Sequence, residues 1–464
     1  MDRAEEWARK EFGNIEWGDK RLAQRAIGMA GAMAKRPGVS LPKQMRGWAP
    51  QKAAYRFLSH EAVSYEKISR PHWEKTREQA RHCGKVVLMV QDITELDYTT
   101  HRETEGLGPI GNHGGAGLML HNTLAVGAEA HRVLGLAYQQ VWVRENVSHK
   151  QTESKSLRRK REDRQSTRWG KAVAEIGTPP AGVRWVYVAD READIYAFFE
   201  QTQASRADFC VRIVQDRRLV DPTGEESQYL LETLRSLPAQ GIHPVDVPTS
   251  VGHPQRTARM AIAWQAVEIH APHLDHRPEE SFRAWALRTW EVDPPPGVQA
   301  LEWLLLTSVP VQDLSDALER LDWYTCRWIV EEYHSCLKTG CSIQKSQLRQ
   351  GKRLERWLGF LAVLAVRLLQ LRDLARTNPD QPALESVEPV LVQIMALQQH
   401  QEIKTMTIRE FWHAVAGIGG FPGRHSDGEP GWKRLWDGWL HLLDWAEGVQ
   451  MAAHLPGLED VGNP

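Results

Sequence analysis

Hydrophobic positions along the chain follow two periods. In residues 1–82, and again from Leu354 onward, they recur every three or four positions, as on helices; between these regions lie short unbroken apolar runs, as on buried strands. Near the start, Asp19 is placed to cap a helix through Arg21, Leu22, Arg25, Ile27, Met29 and Met33, which Pro37-Gly38 stops. Further helices are predicted over residues 53–58 and 65–80. At Lys85 the period changes. Val86-Val87-Leu88-Met89-Val90 reads as a buried strand closed by Gln91-Asp92, followed by a glycine-rich loop from Gly106 to Gly117. Residues 118–126 and 133–143 read as a hairpin turned at 127–131. A basic segment leads to a helix ending at Ile176. Val183 to Ala189 is another strand closed by an acid, Asp190, and Arg191-Glu192-Ala193-Asp194 opens a helix with acids suited to its first turn. Strand character resumes at Phe209 to Val214. Residues 219–300 read as short strands and loops, and Trp303-Leu304-Leu305-Leu306-Thr307-Ser308 as one more buried strand. A long helix covers 354–376, and the remainder reads as helical, with Trp432, Trp436, Trp439 and Trp445 assigned to core packing.

Length and charge refine this outline. A chain of 464 residues is too long for one core, so two to four domains are expected. With 42 % hydrophobic and 25 % charged residues it has the composition of a soluble globular protein. The longest apolar run, residues 358–371, contains Arg367 and is too short to span a bilayer. The opening Met1-Asp2-Arg3-Ala4-Glu5-Glu6 lacks an apolar signal region, so a cytoplasmic location is expected. Five cysteines at irregular spacing make neither a disulfide framework nor a zinc pattern, and Cys336 and Cys341 read as free thiols. The net charge of −1 conceals an asymmetry: residues 1–85 hold 18 Lys+Arg against 10 Asp+Glu, whereas the stretch from Arg376 holds 6 against 12. A basic head of this kind is compatible with DNA binding.

Candidate chemistry gathers on the stretch from Tyr324 to Lys338. If it is one helix, Tyr324, Arg327, Glu331 and Lys338 fall within an arc of roughly 60°. A solvated face also carries mixed charges, but here a tyrosine stands in line with them and two isolated aspartates lie upstream. For Asp92 or Asp190 alone, a helix cap or solvated turn is an adequate account. Three acids in strand, strand, helix order point instead to one site, because the strand ends of an open sheet gather at one edge. Three carboxylates suit Mg²⁺ or Mn²⁺, and a pair of such ions would serve phosphodiester chemistry.

Asp190-Arg191-Glu192-Ala193-Asp194, Trp303-Leu304-Leu305-Leu306-Thr307-Ser308 and Tyr324-x-x-Arg327-x-x-x-Glu331-x-x-x-x-x-x-Lys338 resemble the bacterial cut-and-paste transposases of the insertion-sequence-four group. The resemblance runs nearly end to end. It takes in Gly18-Asp19 and Tyr55-Arg56-Phe57 in the head, residues 365–371, and the late Gly419-Gly420-Phe421 with Leu435-Trp436-x-Gly438-Trp439. It implies a multidomain α+β and α/β architecture: a helical DNA-end-binding domain over 1–82, a ribonuclease-H-like catalytic core over 83–375 with a β-rich insertion at about 219–305, and a helical dimerisation domain over 376–464. It further implies Asp92, Asp190 and Glu331 as the catalytic acids binding two Mg²⁺ ions, with Mn²⁺ as a substitute. By matched position, Tyr324, Arg327 and Lys338 would hold phosphates beside the cut. Arg212 and Trp303 would hold a flipped base, and Arg25, Lys35 and Arg56 would contact the transposon end. The implied reaction is 3′ nicking, a hairpin intermediate and joining of the ends to target DNA. The implied partners are double-stranded transposon-end and target DNA and a second copy of the chain, in the bacterial cytoplasm and nucleoid-associated when on DNA, with no membrane.

The chain departs from the group's pattern in three places. Residues 156–168 are basic where a relative is acidic, and could add DNA contacts or form a solvated loop. Gln91 replaces a glutamate, and a lysine-rich stretch of the last third is missing. A metal-dependent endonuclease that does not join ends, and a DNA-binding regulator with vestigial catalysis, stay open as alternatives.

Overall fold

The computed structural model describes residues 3–111, 114–145, 166–220, 228–247, 256–272, 281–424 and 428–453. Five helices open the chain: α1 (Arg3–Phe12), α2 (Lys20–Lys35), α3 (Leu41–Met45), α4 (Trp48–Ser59) and α5 (Tyr65–His82). Their starts are chemical. Asp19 Oδ1 accepts from Arg21 N at 2.8 Å, and Ser64 Oγ accepts from Lys67 N at 3.1 Å, satisfying N–H groups that have no partner inside the helix. α1 buries Ala4, Ala8 and Phe12, spaced by four, as a single stripe.

Among the described residues, ten strands then build one sheet, interrupted by three α-helices: β1 (Val86–Asp97), β2 (Gly108–Ile110), β3 (Gly115–Gly127), β4 (Arg132–Trp142), α6 (Thr167–Ile176), β5 (Arg184–Ala189), α7 (Tyr196–Ala204), β6 (Asp208–Arg212), α8 (Leu230–Ser236), β7 (Gly241–Val247), β8 (Arg256–His270), β9 (Ser281–Glu291) and β10 (Glu302–Thr307). β1 pairs antiparallel with β3, and β3 with β4; β5 lies parallel to β1, and β6 parallel to β5. β10 closes on β6 antiparallel, and β9, β8 and β7 follow in turn. The last helices are α9 (Leu314–Thr325), α10 (Trp328–Ser335), α11 (Gly351–Thr377), α12 (Pro389–Gln398), α13 (Ile408–Ile418) and α14 (Trp432–Ala452). The result is a mixed sheet with a core on each face. Trp169, Trp185, Tyr187, Phe198, Phe199 and Phe209 fill one side, while α11 with the opening helices fills the other. Phe360 of α11 meets Phe12 at 4.9 Å and Phe57 at 5.9 Å between ring centroids, docking the basic head on the core. Each such pair contributes about 0.5–1.5 kcal/mol beyond its buried area.

Four expectations change. Asp92 does not end its strand: β1 runs on to Asp97 because β3 continues to pair with it, and only the parallel ladder to β5 stops, at Val90↔Val188. The 219–300 region contains a helix, α8, and its strands are long; they extend the central sheet through β10. Tyr324 to Lys338 is not one helix. Backbone N–H groups of Cys326, Arg327, Ile329 and Val330 bond three residues back rather than four, separating α9 from α10. Residues 336–340 then widen into a π turn, with Cys341 N donating to Cys336 O at 2.7 Å. Finally, Trp436 and Trp439 are core residues as expected, but Trp445 is exposed. Residues 156–165 of the basic segment lie outside the described residues. No helix among the described residues is long and apolar enough to cross a membrane.

Candidate active site

Register brings the two aspartates together. Val90 of β1 sits opposite Val188 of β5 in the parallel ladder, so two residues further on Asp92 stands beside Asp190, just past the end of β5. α10 packs over β1 and β3 and carries Glu331 to the same place. The Asp92 carboxyl is pushed up to about 7, first by burial and then by the negative charge of Asp190, with Glu331 adding to it and Arg327 opposing it. Ile93 N donates to Asp92 Oδ1 at 2.8 Å, and Glu192 N donates to Asp190 Oδ1 at 2.8 Å, which leaves the second oxygen of each out of these bonds. Arg327 donates to Glu331 Oε1 at 2.6 Å. Glu332, next in the chain, is occupied elsewhere, accepting from the buried Arg372 at 2.6 Å.

Cationic and aromatic groups surround the acids. Burial raises the Tyr324 phenol, and Arg327, Arg212 and Asp190 are all close enough to act on it electrostatically. Trp303 stacks edge-on against Tyr324 with ring centroids 5.4 Å apart. Arg212 pairs with Leu305 across β6 and β10 and donates to the carbonyl of Glu302 at 3.2 Å, next in the chain to Trp303. Burial lowers the Lys338 ammonium, which lies within reach of Glu95, Asp92 and Asp97. Six of the residues singled out in the sequence, besides the two aspartates, therefore converge on one sheet edge: Arg212, Trp303, Tyr324, Arg327, Glu331 and Lys338.

Among the described residues, no three His, Cys, Asp or Glu side chains stand in metal-holding geometry. Glu331 Oε1 is engaged by Arg327. The donor set nonetheless fits a hard dication: all the donors are oxygens, and the Asp92 carboxyl is crowded by like charge that a cation would relieve.

Residues 4–63 match the family described as Transposase DNA-binding, and residues 137–367 match the family described as Transposase DDE domain. The two matches mark the chain as a DDE-type transposase. DNA is its partner, and domains of the DDE type work with divalent metal ions. The DDE match covers Asp190 and Glu331 and begins within β4, so Asp92 is tied to the site by sheet register instead.

The head of the transposase presents a groove of about 730 Å³ between α4 and the start of α11, lined by Trp48, Lys52, Tyr55, Arg56, His60 and Arg353 among others. Arg56 is exposed there, and Trp48 is 75 % exposed with Lys52 above its ring. Arg25 is half-buried, and Lys35 is bonded to Glu5 at 3.2 Å. Sequence reasoning missed Trp48, which no period distinguishes from a core tryptophan. It also misread Asp194. That residue is buried, pairs with Arg217, and accepts from Val214 N and Gln215 N, each at 2.7 Å. α7 begins only at Tyr196, so Asp194 fastens the chain after Asp190 to the end of β6.

Proposed function

We propose that the chain is a cut-and-paste transposase of the insertion-sequence-four group, akin to the Tn-five transposase. In this reading it excises a transposon through 3′ nicking and a hairpin intermediate and joins the ends to target DNA as a homodimer. The observation that carries the proposal is the register that sets Asp92 beside Asp190 under Glu331, with Arg327, Lys338, Arg212, Tyr324 and Trp303 around them. Asp92, Asp190 and Glu331 would hold two Mg²⁺ or Mn²⁺ ions, Glu331 by leaving Arg327. Such ions supply activation of a water or 3′-hydroxyl and stabilisation of the leaving oxygen.

The surrounding side chains bind and orient. Arg327 and Lys338 are cations flanking the acids, placed to hold scissile-strand phosphates, and Tyr324 adds a hydroxyl donor. Trp303 would offer its ring face as a stacking surface for an extrahelical base that Arg212 helps hold, a contact worth about 1–3 kcal/mol. Arg56, Arg25 and Lys35 lie on the head that would grip the transposon end. The proposed domains are 1–82 for end binding, 83–375 for catalysis and 376–464 for dimerisation.

The test is to incubate full-length protein and Mg²⁺ with linear DNA carrying the inverted repeats that flank its own gene. Hairpin and strand-transfer products support the proposal. Nicks alone would favour an endonuclease without joining, and shifted but uncut DNA a DNA-binding regulator. Glu331→Ala should lower nicking by about 10²–10³-fold, on the scale of removing a charge-stabilising group at a reacting centre, while DNA binding persists. Unimpaired cleavage by that variant would sink the assignment of the three acids.

A further inference from the structure

Behind the carboxylates the sheet carries a row of buried polar side chains. Cross-strand partners project from the same face, so the pairs Asp92↔Asn122 and Asn122↔Gln139 extend the row from β1 through β3 to β4. Asn122 is 0 % and Gln139 1 % exposed. Buried amides are costly unless bonded, and these two are bonded in a directed chain. Tyr65 Oη, at the first position of α5, donates to Gln139 Oε1 at 2.7 Å. Gln139 Nε2 donates to Asn122 Oδ1 at 2.6 Å and to Tyr333 Oη at 2.9 Å. Asn122 Nδ2 donates to His334 Nε2 at 2.8 Å, which leaves the imidazole neutral with its proton on Nδ1. Tyr333 and His334 are the buried residues of α10 that follow Glu331.

The chain therefore ends on the helix that carries Glu331. His334 lies about 60° round the helix axis from Glu331 and one turn along it. α10 has eight residues between a tightened turn and a π turn, so the four-residue ladder of backbone bonds changes register at both of its ends. A rotation of about 10° at a radius of about 6 Å would move a side-chain head by about 1 Å. Misplacement of that size at a reacting centre costs on the order of 10²-fold. The Asn122–His334 bond ties α10 to the same cross-strand row that includes Asp92.

We propose that His334, Asn122, Gln139 and Tyr65 are positioning residues for Glu331: they set the rotation of α10 over the sheet and link it to helix α5 of the head. This rests on the reading of Glu331 as a metal ligand. His334 must offer an acceptor where Nε2 stands, which glutamine supplies and leucine does not.

The experiment measures Mn²⁺ binding to the full-length chain by electron paramagnetic resonance, with thermal unfolding on the same samples. His334→Leu and Asn122→Leu should weaken Mn²⁺ binding by about 10–100-fold, the usual range for losing a ligand's supporting partner, in protein that is still folded. His334→Gln should restore binding to near wild type, a rescue that a volume-filling role would not require. Wild-type affinity in folded His334→Leu overturns the proposal. If His334→Leu does not fold, Tyr65→Phe decides, because it removes only a hydroxyl: about 10-fold weaker Mn²⁺ binding is expected, and unchanged affinity overturns the proposal. Glu331→Ala separates the two levels. If it leaves Mn²⁺ binding unchanged, the metal-site reading fails and takes the positioning role with it; if it abolishes binding while His334→Leu does not weaken it, only the positioning role falls.

Discussion

Asp194 shows how a single residue can be legible as a motif and opaque as a cause. In the sequence it is one more acid in Asp190-Arg191-Glu192-Ala193-Asp194; in the fold it is a buried anchor with Arg217 as counter-ion and two backbone N–H groups to satisfy. Asp194→Ala leaves that guanidinium buried without its partner, and loss of one member of such a pair costs about 3–5 kcal/mol. A loss of that size in the unfolding free energy from urea titration is expected, seen as a lower midpoint, and an unchanged midpoint would refute the anchoring role. Glu331 and Glu332 make the same point. Adjacent and chemically identical, they differ only in what faces them: Arg327 and Asp92 for the first, Arg372 for the second.

At the scale of elements, contacts between helices and strands explain residues that no period predicts. The late motif glycines are an example. A Cβ at Gly438 would stand 1.7 Å from Val415 O, and one at Gly419 would stand 1.9 Å from Arg434 O, so α13 and α14 cross with backbones in contact. Gly438→Ala should cost about 1–3 kcal/mol through overpacking, visible as a lower melting temperature and a changed near-ultraviolet signal from Trp412 and Trp439, whose rings lie 5.1 Å apart. In the head, Glu11 of α1 meets His72 and Lys75 of α5, while His72 Nε2 accepts from Leu136 N of β4 at 3.2 Å. Burial alone would push the Glu11 carboxyl up; the bond from His72 and the charge of Lys75 instead bring it down to about 2. Because the folded value lies below the unfolded one, the stabilisation is complete above about pH 4.5 and is lost as pH falls toward 2. Some 2.5 pH units correspond to about 3 kcal/mol. Urea midpoints measured from pH 6 down to pH 2 should follow that decline, and Glu11→Gln should flatten it.

For the whole molecule, the total charge of −1 is uninformative because a basic head and an acidic tail cancel. Chain folding adds contacts across that divide: Arg36 and Arg46 of the head both pair with Glu447 of α14. Salt dependence of DNA binding reports the cations that remain on the groove. Arg56→Ala should weaken binding to any duplex and lower the slope of log K against log salt by about 1, the loss of one phosphate contact. An unchanged slope would place Arg56 off the DNA.

The apolar runs, the caps at Asp19 and Ser64, and the acid that follows β5 were decided by local chemistry, which is why most of the elements could be read from the chain. The order of strands was not. Whether Asp92 meets Asp190 depends on one parallel register between residues nearly a hundred positions apart, and hydrophobic alternation is the same in any register that keeps the face. Nor did helical periodicity reveal the break between Tyr324 and Glu331, because residues on both sides of it keep helical dihedrals while the hydrogen bonds shorten by one residue. The buried row from Asp92 to Gln139 belongs wholly to the tertiary structure. Asn122 and Gln139 look like strand residues misplaced in a core until the sheet pairs them and α10 closes over them.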